Sequence, residues 1–125
     1  MTENEVSKEI VDAALKIHKQ LGPGLLETAY EECLAYELKK RDLRIEQQKA
    51  LPLTYEKVKF ETGYRIDLLV ENKVIVEIKA IDAMNDVHMA QILTYLKLSN
   101  CKLGLLINFN VALLKHGLRR VANKL

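Results

Sequence analysis

The chain carries only two cysteines and two prolines in 125 residues, and it has no tryptophan. Cys33 and Cys101 stand alone with no CxxC spacing and read as buried free thiols. Free thiols fit a reducing, cytoplasmic compartment. No apolar run approaches the ~20 residues needed to cross a bilayer, so no membrane partner is expected. The opening stretch, MTENEVSKEI, lacks the apolar core of a signal peptide. Charge of one sign is missing too. Lys and Arg exceed Asp and Glu by a net +2, too little to mark a nucleic-acid binder by bulk charge. A basic face would need local clusters such as Lys39-Lys40-Arg41 or Arg119-Arg120. Repeats, linkers and low-complexity segments are also absent, which leaves one domain spanning residues 1–125 with a single core.

What is present reads as alternating helices and strands. Thr2 and Glu5 have capping-box spacing, and Val6, Ile10, Ala13, Ala14, Ile17 and Leu21 follow with helical period. Gly22 is placed to end that helix, and Gly22-Pro23-Gly24 reads as a turn. It is no phosphate-cradling loop, because no Lys-Ser/Thr follows. A second helix is expected from about residue 25 to 40, burying Leu26, Ala29, Tyr30, Cys33 and Leu38. From Arg44 to Ala80 the period changes to two, with a phase slip at Glu56-Lys57, which suggests a three-strand antiparallel meander. Asn85 can cap a third helix over 86–98. The apolar run KLGLLINF (102–109) then reads as a strand covered on both faces. Lys115-His116-Gly117 turns into a short final strand. The order ααβββαβ(β) predicts an α/β fold, a mixed sheet flanked by helices.

The chemistry concentrates in RIDLLVENKVIVEIKA (65–80), where Asp67, Glu77 and Lys79 interrupt apolar strands. A hairpin loop of odd length centred on Asn72 sets Asp67 opposite Glu77, with Cβ atoms ~4.5–5.5 Å apart. Two carboxylates that close repel by about 4 kcal/mol at 4 Å and a protein-like effective dielectric. Something must compensate. Lys79 supplies one charge, and a divalent cation would supply two; carboxylate and carbonyl oxygens suit Mg²⁺ or Mn²⁺. The acid-x-Lys triplet alone has little specificity. It also occurs as Glu37-Leu38-Lys39 and Glu71-Asn72-Lys73. A cross-strand salt bridge and a metal site both remain open on these residues. In the third helix His88, Gln91 and Tyr95 form one polar stripe at i, i+3, i+7. Singly, each is readily explained: His88 as an ordinary hydrogen-bonded histidine, Gln91 as a surface residue and Tyr95 as a core ring with its hydroxyl at the edge.

Taken together, these residues resemble a known family. GLLETAY, with Gly24, Glu27 and Tyr30, matches the signature of the GxxExxY proteins, a branch of the PD-(D/E)XK nuclease superfamily. The likeness extends through DLLVENKVIVEIKA, AQILTYL and GLLINFNV, and so covers nearly the whole chain. It implies a restriction-endonuclease-like core and hydrolysis of DNA or RNA phosphodiesters with Mg²⁺ or Mn²⁺. Glu27 becomes a helix-borne acid near the metal, and Asp67 and Glu77 the central ligands beside the Ile78 carbonyl. Lys79 becomes the residue that orients or deprotonates the water. Gln91 and Tyr95 match the Gln-x-x-x-Tyr motif of the recombination-exonuclease branch. Ile66 stands where the superfamily's name calls for proline. On this reading the partner is nucleic acid, its backbone held with help from Lys97, Arg119 or Arg120, and a homodimer is compatible. The rival readings are a catalytically silent binding or assembly module and a structural domain whose acids and lysine form an ion-pair cluster.

Overall fold

The computed structural model describes all residues from Met1 to Leu125. Helix α1 (Glu3–Leu21) starts at the expected capping box, in which Thr2 and Glu5 exchange hydrogen bonds. It ends at Gly22, whose φ of 69° favours glycine. Helix α2 (Glu27–Lys40) lies against α1. Arg41 ties the pair by reaching Glu9 and Asp12 on α1 and Glu37 on α2. Lys16 adds an ion pair to Glu37 at 3.0 Å.

Five strands form the main sheet in the order β1 (Ile45–Ala50), β4 (Arg65–Val70), β5 (Val74–Lys79), β6 (Leu103–Asn108), β7 (Leu118–Ala122). All neighbours are antiparallel except β5 and β6, which run parallel. Parallel strands need a crossover, and helix α3 (Asp86–Ser99) provides it. Every residue of β6 is buried, as its unbroken apolar run requires when both sheet faces are covered. Val70, Val74, Val76, Leu103 and Leu105 pack beneath α1 and α2, while Leu69, Ile75 and Leu106 pack with Ile92 and Leu96 of α3. Gly104 makes room for that second layer, because a Cβ there would meet Ile92 Cδ1 at 2.9 Å. The result is a three-layer α/β/α sandwich.

The elements expected from the sequence need two corrections, the first in the meander. Residues 44–70 contain four strands rather than two. Pro52 has no N–H to continue the β1 ladder, and a separate hairpin, β2 (Leu53–Tyr55) with β3 (Val58–Phe60), follows it. Gly63, at φ 83°, helps turn the chain back into β4. The phase slip at Glu56-Lys57 is the tip of this small hairpin. The second correction concerns α2, which begins at Glu27 and not at residue 25. Leu26 is its extended N-cap and is 76% exposed, not buried, while Ala29 and Cys33 are half-buried. No helix is long and apolar enough to cross a membrane.

Candidate active site

The β4–β5 hairpin closes through the three residues Glu71-Asn72-Lys73, with Glu71 and Asn72 both left-handed. Leu68 therefore faces Val76, and Leu69 faces Ile75. The same register carried one step further sets Asp67 against Glu77. There the ladder stops. The Asp67 N–H donates to Glu77 Oε2 at 2.8 Å, and the Ile78 N–H donates to Asp67 Oδ2 at 2.8 Å. Side-chain oxygens have replaced backbone carbonyls as acceptors, so the two strands part at the acids. The gap opens where a buried sheet would otherwise be sealed.

The pair is crowded and poorly hydrated. Glu77 is buried. Burial, then the charge of Asp67, pushes its carboxyl up to about 8, against the opposing pull of the Asp67 N–H and Lys79. Burial likewise raises Asp67, opposed by the Ile78 N–H, the Gln48 amide and the charge of Lys79, while Glu27 adds to the rise. Lys79 is half-buried and within electrostatic reach of both acids, yet it forms no ion pair with either. The ion pairs lie elsewhere, at Lys16, Arg41 and Lys49. No ion pair within salt-bridge distance neutralises Asp67 or Glu77.

Glu27 arrives from the first turn of α2. Its Oε2 accepts the Ala80 N–H at 3.1 Å, just past the end of β5. The turn before α2 fixes this position. Gly24 sits at φ 104°, a conformation for glycine. The Tyr30 hydroxyl donates to Gly22 O at 2.6 Å and accepts the Leu25 N–H at 3.1 Å. Its ring stacks on Phe109 with centroids 4.3 Å apart. Tyr30 is thus a clamp on the loop that aims Glu27. From the β6 side, buried Asn108 holds the chain after β5 by accepting the Ile81 N–H and donating to Ile81 O.

Two contributors were not expected from the sequence. Glu31, one helical turn after Glu27, is buried, and burial raises its carboxyl. Gln48 Nε2 donates to Glu31 Oε1 at 2.7 Å and to Asp67 Oδ1 at 3.1 Å, bridging α2 to the central pair. Gln47 donates to Glu31 Oε2. The i, i+4 spacing of Glu27 and Glu31 was the available signal, since it puts both acids on one helix face.

Helix α3 forms the other wall. Tyr95 is buried, and burial with the charge of Glu77 raises its phenol. Exposed Gln91 lines a cleft of ≈ 300 Å³ with Tyr95, Tyr64 and Leu53. His88 is taken up by the helix cap, where its Nδ1 accepts the Asn85 N–H at 3.1 Å. The basic residues are less well placed. Arg119 donates to the carbonyls of His116 and Leu118, and Arg120 reaches Asn4 near the start of α1. Both stand on edge strand β7, two strands from β5, and Lys97 is exposed in the last turn of α3.

The donor set suits a hard divalent cation. No group of three or more Asp, Glu, His or Cys side chains is placed to hold a metal ion. Mg²⁺, however, is bound through one or two carboxylates while it keeps several waters. Glu77 uses only Oε2 within the protein, and no sealed side-chain oxygen or nitrogen lacks a partner. Its second oxygen is therefore open to the gap. Comparison with curated proteins and with solved structures returned no match. A family model described as the PD-(D/E)XK nuclease superfamily matches residues 4–121. The mixed five-stranded sheet with its flanking helices is consistent with a restriction-endonuclease-like core, and the chain belongs to the PD-(D/E)XK nuclease superfamily.

Proposed function

We propose that the protein is a divalent-metal-dependent nuclease whose centre is the Asp67–Glu77 pair. One observation carries this reading: the β4–β5 ladder opens at two carboxylates that have no ion-pair partner. Asp67 and Glu77 would hold Mg²⁺ or Mn²⁺, with the Ile78 carbonyl and Glu27 at its margin. When bound, such a cation acidifies water and neutralises charge developing on the phosphate. Lys79, close enough to act electrostatically on both acids and free of ion pairs, orients the attacking water. Gln48 fixes Asp67, and Glu31 in turn fixes Gln48. Gln91 and Tyr95 offer an amide and a phenol to the substrate at the neighbouring cleft. The Tyr30 clamp over Gly22 and Leu25 supports placement in the GxxExxY branch, since it gives the signature's tyrosine a use in aiming the signature's glutamate.

Melting curves with and without Mn²⁺, followed by cleavage assays on labelled DNA and RNA, test the proposal. A ligand that binds only the native state raises the melting temperature by mass action. A shift together with metal-dependent cleavage supports the nuclease. A shift without cleavage of any substrate supports a silent binding or assembly module, and no shift overturns the metal site.

A further inference from the structure

The chain has five tyrosines and two phenylalanines, and they are unevenly spread. Tyr30 and Phe109 stack in the core. Tyr64 and Tyr95 meet at the cleft between the β2–β3 hairpin and α3, and Tyr55 and Phe60 stand on the hairpin itself. Tyr55 is 67% exposed, Phe60 45% and Tyr64 47%, an unusual condition for rings in so small a protein.

The hairpin register explains their arrangement. Leu53 faces Phe60 and Tyr55 faces Val58, and directly paired residues of an antiparallel ribbon project from the same side. All four apolar side chains therefore share one face, with Thr54 and Lys59 on the other. Leu53 also lines the cleft with Tyr64, Gln91 and Tyr95. The apolar ribbon face is thus continuous with that cleft, and Tyr64 lies 6.1 Å from Tyr95 between ring centroids. Tyr95 in turn feels the charge of Glu77. Through Leu53 the hairpin face therefore meets the cleft whose Tyr95 lies within electrostatic reach of Glu77. Lys57 at the hairpin tip and Arg65 at the start of β4 are exposed cations near this face, whereas Lys59 projects from the opposite side.

Exposed rings with cations nearby match the chemistry of unpaired nucleotides, which offer successive π faces and a negative backbone. We infer that the β2–β3 hairpin is a stacking platform for single-stranded or frayed nucleic acid, leading the strand into the Tyr64–Tyr95 cleft. The inference deepens the nuclease reading by naming its substrate class, and it rests on that reading for the direction of the strand. A stacked base in an intact duplex presents no free face to Tyr55 or Phe60, so blunt duplex is the poorer ligand.

The test is fluorescence anisotropy in EDTA, using a labelled single-stranded oligothymidylate and a blunt duplex of equal length. Wild-type protein should prefer the single strand. Tyr55→Ala and Phe60→Ala, both at exposed positions, should each weaken single-strand binding about tenfold. Lys57→Ala should flatten the slope of log affinity against log salt by about 0.7. Unchanged single-strand affinity in both aromatic variants overturns the inference. So does a wild-type dimer that these variants convert to monomer without altering oligonucleotide binding, because a second copy then covers the face. Failure of the nuclease reading looks different: the variants lose single-strand binding although the wild type cleaves nothing with Mn²⁺, which leaves the platform standing. Equal Mn²⁺-dependent cleavage of single strands by wild type and both variants overturns the platform and leaves the nuclease intact.

Discussion

Asp67 and Glu77 are joined crosswise through the backbone: Glu77 Oε2 accepts the N–H of Asp67, and Asp67 Oδ2 accepts the N–H of Ile78, Glu77's neighbour, each at 2.8 Å. These bonds hold two like charges against each other and keep the strands apart. Without a cation the arrangement is strained electrostatically, and the strain depends on pH.

The sign follows from the raised carboxyl of Glu77. Its folded value of about 8 lies above the ordinary 4.5, so between these limits the folded state binds more protons than the unfolded state. Stability of the metal-free protein therefore falls as pH rises through this window, by on the order of a few kcal/mol. Glu77→Gln keeps the acceptor for the Asp67 N–H and removes the charge. In EDTA the variant should melt at or above wild type, and its advantage should grow from pH 5 to pH 8. A large drop in its melting temperature at every pH would refute a repulsive pair.

Protons and cations compete for the same oxygens. The rise in melting temperature produced by Mn²⁺ should be larger at pH 8 than at pH 6, and absent in Glu77→Gln. Differential scanning calorimetry at fixed free Mn²⁺ measures both. An equal shift at the two pH values would place the cation elsewhere.

Much of the scaffold around this pair was legible in the sequence. Thr2 with Glu5, Gly22 and Asn85 marked helix ends, because capping depends on side chains only a few residues apart. The register of Asp67 and Glu77 was legible because a short hairpin fixes its own pairing. Glu31 and Gln48 were not. Their meeting depends on how α2 lies over β1, sixteen or more residues away along the chain, and periodicity is silent on such contacts. The β2–β3 hairpin was merged into its neighbours because Pro52 and Gly63 separate strands that keep nearly the same alternation.

Gln48 offers a test of that missed contact. It holds left-handed backbone at φ 50° and donates to both Glu31 and Asp67. Gln48→Gly accepts the φ without strain and deletes the bridge. Groups that orient a metal ligand typically contribute 10–100-fold to affinity. Titration calorimetry should show Mn²⁺ binding weakened by about tenfold, and Lys49→Ala next to it should leave affinity unchanged.

Tyr30→Phe probes the clamp on the loop before α2. The ring can still stack on Phe109, but the bonds to Gly22 O and the Leu25 N–H are lost. Leaving these groups without their partner should cost about 1–3 kcal/mol in urea unfolding. Because the loop aims Glu27, Mn²⁺-dependent cleavage should fall further than stability alone explains, when measured well below the melting temperature.

Lys79 separates holding a cation from using it. It makes no ion pair, so Lys79→Met should change stability little at pH 5, where Glu77 is protonated, and lower it as pH rises and the acids ionise. Its charge does pull the carboxyls of Asp67 and Glu77 downward. Removing it raises both and strengthens proton competition near neutral pH. Above pH 8 that penalty fades, and the loss of a repelling ammonium then favours a bound cation. The variant should therefore keep its Mn²⁺ melting shift at pH 9 while cleavage falls about 100-fold or more, within the range for a group acting on the reacting proton. Glu77→Gln should lose both. If Lys79→Met instead loses the Mn²⁺ shift at every pH and retains cleavage in proportion to bound metal, Lys79 only tunes affinity. Another group must then orient the water.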